Sequence, residues 1–193
     1  ESRYGYDAVR RLPEIFFRMR GEIVSDVRHD WFDLACNLFI ERFAEPINEW
    51  CINHNLIFTG HILHEDSLTN QSVPNGSVMR FYEHMGYPGV DVLTEENRCY
   101  WIVKQLESSA RQLGKKTLLS ELYGCTGWQF DMKGHKAVGD WQALFGINLR
   151  CPHLSWYTME GEAKRDYPAS IFYQSPFYKY YNCLLYTSDA ADD

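Results

Sequence analysis

The chain has 193 residues, of which 45% are hydrophobic and 16% aromatic, and this composition is typical of folded globular proteins. Its formal net charge of −7 argues against nucleic-acid and anionic-membrane partners, because both need clustered lysine and arginine. No apolar run reaches the roughly 20 residues that span a bilayer, so the sequence predicts no membrane segment. Six cysteines without a CxxC pair predict free thiols, which favours a cytoplasmic location over a periplasmic or secreted one.

Both ends of the chain read as artificial boundaries. Residues 183–193, CLLYTSDAADD, back-translate to the end of a common transposon-based sequencing adapter, so we expect them to be a non-native tail. The chain opens on ESRYGYDAV, without an initiator methionine or a signal peptide. We therefore expect residues 1–182 to be part of one catalytic domain from a longer chain whose flanking domains are missing.

Helical and strand patterns alternate from the first third of the chain onwards. Apolar residues recur at helical spacing over residues 30–54, and Pro46 is expected to kink that helix or divide it in two. Residues 56–63 form a short, apolar and partly β-branched run that predicts a buried strand. A polar loop, SLTNQSVPNG, and a short helix around residues 79–85 follow.

The second half of the chain repeats this alternation. Thr94 and the two glutamates after it predict a helix start, and Gly114 predicts the end of that helix. The other predicted elements are strands over residues 87–93 and 116–122, a helix over residues 135–144 and a strand that begins over residues 147–150. Strand and helix therefore alternate at least three times.

Such alternation predicts parallel strands joined by helical crossovers. An open doubly wound sheet and a (β/α)8 barrel both fit the pattern. A nucleotide-binding doubly wound sheet carries a glycine-rich turn after its first strand, and the chain contains neither GxGxxG nor GxxxxGK[ST]. We therefore predict an α/β fold of the partial TIM-barrel type, with about half of the eight units present.

Three carboxylates stand at the downstream ends of predicted strands: Glu65, Asp91 and Glu121. Active sites of parallel α/β proteins collect at this edge of the sheet. Strand alternation places His61 beside Glu65 and Tyr123 beside Glu121. A partly desolvated carboxyl group near other acids holds its proton at neutral pH, so we predict Glu65 and Glu121 as catalytic acid and base. Each of them alone also fits a solvated loop residue.

Aromatic residues after the third and fourth strands favour a sugar substrate. Their rings stack on the apolar C–H faces of sugars, while carboxylates and histidines bind the hydroxyl groups, although core packing is the other common role of such rings. The predicted substrate-binding residues are His61, Asp91, Tyr123, Trp128, His153, Trp156 and Tyr157. The expected partner is thus an oligosaccharide or a glycoside.

Six segments in this order carry a resemblance: YGYDAVRRLPEIF, WCINHNLIFTGHILHED, MGYPGVDVL, LLSELYGCTGW, GDWQALFGINLRCPHLSWYTMEG and KRDYPASIFYQSPFY. Together they resemble the catalytic region of large bacterial glycoside hydrolases similar to family 106, the α-L-rhamnosidase family. The resemblance implies a (β/α)8 catalytic domain flanked by β-rich domains. It also implies glycosidic-bond hydrolysis with inversion, Glu65 and Glu121 as the carboxylate pair, and calcium as a candidate cofactor.

Two other functional classes stay open. A metal-dependent hydrolase would draw on the histidines and acids around the first strand and on a later histidine: His61, His64, Glu65, Asp66 and His153. The spacing is not HExxH, and two histidines three apart on a strand point to opposite faces, so we assign no metal ligands. A non-catalytic carbohydrate-binding relative would keep Trp128, Trp156 and Tyr157 and show no turnover.

Overall fold

The computed structural model describes residues 3–17, 25–95, 99–154, 156, 158, 160–161, 171 and 175–184. Within these ranges four parallel strands hydrogen-bond in chain order and curve into a half-barrel. They are β1 (Thr59–Gly60), β2 (Tyr87–Val92), β3 (Leu119–Leu122) and β4 (Leu149–Pro152). The predicted α/β class with parallel strands is confirmed.

Helices precede the sheet and connect its strands. The α-helices before the sheet and between its strands are α1 (Pro13–Phe16), α2 (Asp26–Phe39), α3 (Glu45–Asn53), α4 (Leu68–Asn75), α5 (Val78–Tyr82), α6 (Tyr100–Leu113) and α7 (Met132–Leu144). The pair α4 and α5 joins β1 to β2, α6 joins β2 to β3, and α7 joins β3 to β4, which gives each strand pair its crossover. No helix in the described part of the chain is long and apolar enough to cross a membrane.

Pro46 divides the long helical pattern, as predicted. A π-helical turn, Ile40–Ala44, separates α2 from α3, and Pro46 stands in the first turn of α3. Proline is tolerated there because the N–H group that it lacks has no acceptor in a first turn. The boundary between α2 and α3 therefore lies where the proline predicts it.

Two predicted boundaries are wrong. The strand predicted over residues 56–63 is limited to β1, and the chain then leaves the sheet as a loop. The helix predicted to start at Thr94 begins instead at Tyr100, since Thr94 has a φ of +63° and a helix start requires a negative φ. Gly114, with a φ of +67°, ends this helix as predicted.

The polar segment predicted as a loop contains α4. The Ser67 hydroxyl accepts a hydrogen bond from the Asn70 N–H and so caps the helix, which continues through Pro74 to Asn75. Gly76 then ends it with a φ of +72°. The loop was predicted because the segment is rich in serine, asparagine and proline. Helix caps and first helical turns favour the same residue types as loops, so composition does not separate the two.

The two faces of the sheet differ in what they contact. Val90 and Val92 of β2 lie in the main core. That core also holds Phe81 and Tyr82 of α5 and Ile102, Val103, Leu106 and Ala110 of α6. Asp91 stands between the two valines and therefore points to the opposite, concave face. Its register partner on β3 is Glu121, so the two carboxylates are neighbours on that face.

Candidate active site

Three side chains converge on the concave face at the carboxyl ends of the strands: His61 from the loop after β1, Asp91 from β2 and Glu121 from β3. One ligand atom from each lies within 4.8 Å of the other two. The His61 Nε2 atom is 3.2 Å from the Glu121 Oε2 atom and 3.9 Å from the Asp91 Oδ2 atom. We call these residues the His61–Asp91–Glu121 cluster.

The orientation of His61 is fixed by its second ring nitrogen. Nδ1 lies 3.1 Å from the Ile62 carbonyl oxygen, which can only accept, so Nδ1 carries the proton and donates it. Nε2 is thereby directed at the two carboxylates. Burial by itself lowers the pKa of His61, but the Ile62 carbonyl and the charges of Asp91, Glu65 and Glu121 raise it above its ordinary value.

Asp91 is the more enclosed carboxyl group of the pair. Its side chain keeps 17% of its surface exposed, against 30% for Glu121. Burial is the main cause that raises the pKa of Asp91 to about 6; the His61 charge opposes this shift and the Glu121 charge adds to it. The Asp91 Oδ1 atom is buried and accepts no hydrogen bond from the described residues.

Glu65 lies behind Asp91 rather than beside Glu121. Its side chain is buried, and each of its oxygens already accepts a hydrogen bond: Oε1 from the Tyr82 hydroxyl at 2.9 Å and Oε2 from the Asp91 N–H at 2.7 Å. Burial raises the pKa of Glu65 to about 7 against the opposing effect of these bonds. With both oxygens engaged, Glu65 does not stand beside Glu121, and the carboxylate in register with Glu121 is Asp91.

The displacement of Glu65 has a local backbone cause. Strand alternation would have kept it in the row of His61, but β1 ends before either residue and His64 has a φ of +59°. This left-handed residue turns the chain before Glu65, so the parity that the sequence indicated no longer holds. The neighbouring Gln71 side chain then donates a hydrogen bond to the Glu65 carbonyl and holds the turned loop.

Tyr123 departs from its prediction for the same reason. It follows β3 with a φ of +75°, and its ring packs into a second core cluster with Leu122, Phe130 and Val138. The ring centroid is 4.4 Å from that of His135 on α7. Tyr123 is therefore a buried packing residue, whereas the sequence predicts that it contacts the substrate.

His153, which follows β4, and Gly124, which follows β3, lie close to the cluster. The His153 N–H donates a hydrogen bond to the Leu122 carbonyl, which extends the strand pairing by one residue. A Cβ atom at Gly124 would lie 3.3 Å from the His153 ring and 3.8 Å from the Glu121 Oε1 atom. The absence of a side chain at Gly124 thus allows His153 and Glu121 to come close.

Two of the predicted aromatic residues form a pair. Trp128 and Trp156, from the loops after β3 and β4, meet edge to face with ring centroids 5.3 Å apart. Trp128 is 63% exposed and Trp156 is buried beneath it. An exposed indole held by a buried one is a rigid apolar surface, which suits stacking against a sugar ring. Tyr157, the remaining predicted aromatic residue, lies outside the described residues.

A cavity of about 630 Å³ opens beside Asp91. It lies between the loops that follow β1 and β2, and its lining includes Asp66, Asn70, Thr94, Leu93 and Ile102. His64 and Thr94 at its wall are non-glycine residues with positive φ, a strained conformation that clusters at binding sites. A mixed polar and apolar wall of this kind fits a small polar molecule with one apolar side.

The cluster is also the group that could hold a metal ion among the residues that the structure describes. The residues that the sequence offered as metal ligands have only His61 in common with this cluster, because His64 and Asp66 do not converge with the others. The combination of His61 with Asp91 and Glu121 was not predicted as a metal site. The available signal was that all three residues stand at the carboxyl ends of successive strands.

Comparison with known proteins adds no relative. No protein-family model matches the chain, and neither the curated proteins nor the solved structures give a significant match.

Proposed function

We propose that this protein hydrolyses glycosidic bonds on the concave face of a (β/α)8 barrel, with Asp91 and Glu121 as the reacting carboxylates. The pairing of these acids on adjacent strands, with one oxygen of each within 4.8 Å, carries the proposal. Glycoside hydrolysis uses two carboxyl groups, one to protonate the leaving oxygen and one to attack the anomeric carbon or activate water. The carboxyl ends of the strands are where barrel enzymes hold such groups.

The different exposure of the two acids assigns their roles. Asp91 is the more buried, and burial favours the protonated form that a general acid needs. Glu121 attacks the anomeric carbon while the bond to the leaving oxygen breaks and the Asp91 proton moves to that oxygen. Water then cleaves the glycosyl–Glu121 ester and gives its proton back to Asp91.

The short distance between the acids favours retention of the anomeric configuration. Retaining enzymes hold their carboxyl groups about 5–5.5 Å apart, whereas inverting enzymes need about 6.5–9.5 Å to admit a water molecule. One oxygen of Asp91 lies within 4.8 Å of one oxygen of Glu121, which is closer to the former range. This proposal departs from the inversion that the family 106 resemblance implies, and NMR detection of the first-formed anomer distinguishes the two outcomes.

Two further observations support a sugar substrate. The Trp128–Trp156 pair offers an exposed aromatic surface from the loops at the same edge of the sheet as the acids. The resemblance to the α-L-rhamnosidase family makes α-L-rhamnosides the first substrates to test. The barrel itself is supported by the parallel half-barrel and by the polar concave face that a closed barrel would enclose.

The test is a screen of aryl glycosides, beginning with the α-L-rhamnoside. We expect cleavage by the wild type and a loss of about 10²-fold or more in Glu121→Gln and Asp91→Asn. Glu49→Gln, an exposed glutamate on α3, is the matched control and keeps full activity. Unchanged cleavage in both site variants would refute the assignment. Absence of cleavage, combined with glycan binding that Trp128→Ala removes, would favour the carbohydrate-binding alternative.

A metal-dependent hydrolase is the second candidate, because the His61 Nε2 atom faces both carboxylates. Three protein ligands with an open position are typical of catalytic zinc sites, where the ion lowers the pKa of bound water. This candidate predicts that turnover is lost with a chelator and in His61→Ala. Turnover would return when a divalent cation is added to the wild type alone.

A further inference from the structure

We propose that the His61–Asp91–Glu121 cluster binds a zinc-class divalent ion, such as Zn²⁺ or Co²⁺, and does not select the calcium that the family resemblance implies. The proposal concerns binding and stands apart from the proposed hydrolysis, because it is measured without turnover. Its first support is the donor set of one imidazole nitrogen and two carboxylates from three successive βα units.

The distances suit such an ion. Zinc holds nitrogen and oxygen ligands at about 2.0–2.2 Å, so two ligands of a tetrahedral site lie about 3.4 Å apart. The His61 Nε2 atom lies 3.2 Å from the Glu121 Oε2 atom and 3.9 Å from the Asp91 Oδ2 atom. The two carboxylate oxygens lie within 4.8 Å of each other, so shifts of about 1 Å or less in each side chain bring all three donors into place.

The surroundings of the cluster also favour a cation. The Nδ1 proton of His61 is held by the Ile62 carbonyl, which is the arrangement that presents the other nitrogen to a metal. The buried Asp91 Oδ1 atom accepts no hydrogen bond within the described ranges. Within the cluster two carboxylates face one imidazole, His61, which forms an ion pair with them only when it is protonated. A bound cation would balance this excess of negative charge.

Calcium does not fit the same residues. It takes six to eight oxygen ligands, drawn from several carboxylates, carbonyls and water molecules. The cluster supplies a nitrogen and only two carboxylates, and the nearby Glu65 is engaged by Tyr82 and the Asp91 N–H. Imidazole nitrogen favours zinc, copper and nickel over calcium.

The test measures metal binding to the chelator-treated chain. Co²⁺ is titrated while its visible absorption is followed, and Zn²⁺ and Ca²⁺ are compared by calorimetry. We expect one ion per chain and a preference for Zn²⁺ over Ca²⁺ of at least about 100-fold. His61→Ala is expected to weaken Zn²⁺ binding by about 100-fold or more. Glu121→Gln, which keeps the shape of the side chain, is the second variant in case His61→Ala fails to fold.

His29→Ala is the matched control, since the exposed His29 ring also lies beside one carboxylate, Asp30, at 3.3 Å. The control keeps wild-type affinity. Exposed thiols also bind zinc, so the titration is repeated with serine at Cys125, Cys151 and Cys183. The proposal is overturned if Zn²⁺ binding persists in His61→Ala or disappears when the thiols are replaced. It is also overturned if Ca²⁺ binds as tightly as Zn²⁺.

A bound ion would engage both acids, so the metal-loaded protein and the retaining glycosidase are alternative states of one site. If a glycoside is cleaved, adding Zn²⁺ is expected to abolish the cleavage. Activation by Zn²⁺ would support the metal site while refuting the carboxylate mechanism. Failure to bind Zn²⁺, with cleavage intact, would refute the metal site alone.

Discussion

The Glu65 Oε2 atom accepts a 2.7 Å hydrogen bond from the backbone N–H of Asp91. This bond joins the loop after β1 to the interior of β2, directly behind the carboxylate that the concave face presents. The Tyr82 hydroxyl, from α5, bonds to the other oxygen of Glu65. Glu65 therefore links three elements of the half-barrel, and we expect it to position Asp91.

Removing Glu65 is expected to destabilise the fold. Glu65→Ala leaves the buried Tyr82 hydroxyl and the Asp91 N–H without acceptors, at about 1–3 kcal/mol for each, so we expect a loss of about 2–6 kcal/mol in the free energy of unfolding. Glu65→Gln keeps one acceptor oxygen and is expected to lose less than half of that. Urea denaturation of both variants measures the difference, and equal stability of Glu65→Ala and the wild type would contradict the positioning role.

Glu65→Gln also separates positioning from direct catalysis. If Glu65 only holds Asp91 in place, the variant keeps measurable turnover with the pH profile of the wild type. Asp91→Asn, by contrast, removes the proposed acid and changes that profile. If Glu65→Gln loses as much activity as Asp91→Asn, Glu65 would instead be one of the two reacting carboxylates.

Gly124→Ala is expected to reduce activity without unfolding the protein. The added Cβ would lie 3.1 Å from the Leu93 side chain and 3.3 Å from the His153 ring, so both must shift by a few tenths of an ångström. Misplacement of about 1 Å at a reacting group costs about 10²-fold in rate, and we therefore expect a decrease of about tenfold in kcat/KM. Thermal melting checks that the fold is kept, and unchanged kinetics would contradict the placement of His153.

Gly76→Ala is expected to destabilise more than Gly114→Ala. Both glycines end helices with positive φ, which costs a non-glycine residue about 1–2 kcal/mol. At Gly76 the new Cβ also meets Cys36 of α2, 2.8 Å from its Sγ atom and 3.2 Å from its Cα atom, whereas nothing lies within 4 Å at Gly114. Overpacking adds about 1–3 kcal/mol, so the free energies of unfolding of the two variants differ by about that amount and Gly76→Ala has the lower urea midpoint. Equal midpoints would contradict the close contact between α2 and the end of α4.

His135 makes stability depend on pH. Burial lowers its pKa below 6.5, because the ring lies among Tyr123, Phe130 and Tyr181. Below pH 6.5 the unfolded chain therefore binds a proton on His135 that the folded chain does not bind. The free energy of folding that His135 contributes above pH 6.5 is lost as the pH falls through the folded pKa. His135→Phe keeps the aromatic packing and removes the titration. The difference in melting temperature between wild type and variant, measured between about pH 5 and 8, is expected to favour the variant increasingly towards acid.

The sequence was sufficient for those features that depend on one element at a time. The alternation of strand and helix predicted the parallel sheet, and Gly114 and Pro46 marked helix boundaries through their own backbone chemistry. Glu121 and Asp91 were placed at the edge of the sheet by their position after apolar runs. Each of these inferences uses only local propensity and the period of a strand or helix.

The failures share a physical origin in the loops that leave the strands. His64, Thr94 and Tyr123 each adopt positive φ within a few residues after β1, β2 and β3, a conformation that non-glycine residues seldom adopt and that local propensity does not predict. The alternation of side chains between the two faces of a strand does not continue past such a residue. The pairing of Glu65 with Tyr82 likewise depends on the packing of α5 against the sheet, which no spacing in the sequence records.

The concave face gives the acid pair a particular electrostatic setting. Glu121 and Asp91 still contact bulk solvent there, and water's high dielectric constant weakens their mutual repulsion and their attraction to His61. Covering this face, by substrate or by further strands, would strengthen every one of these interactions without moving an atom of the cluster. Reactivity at the pair is therefore expected to depend on enclosure, and a substrate large enough to exclude the solvent would contribute to its own cleavage.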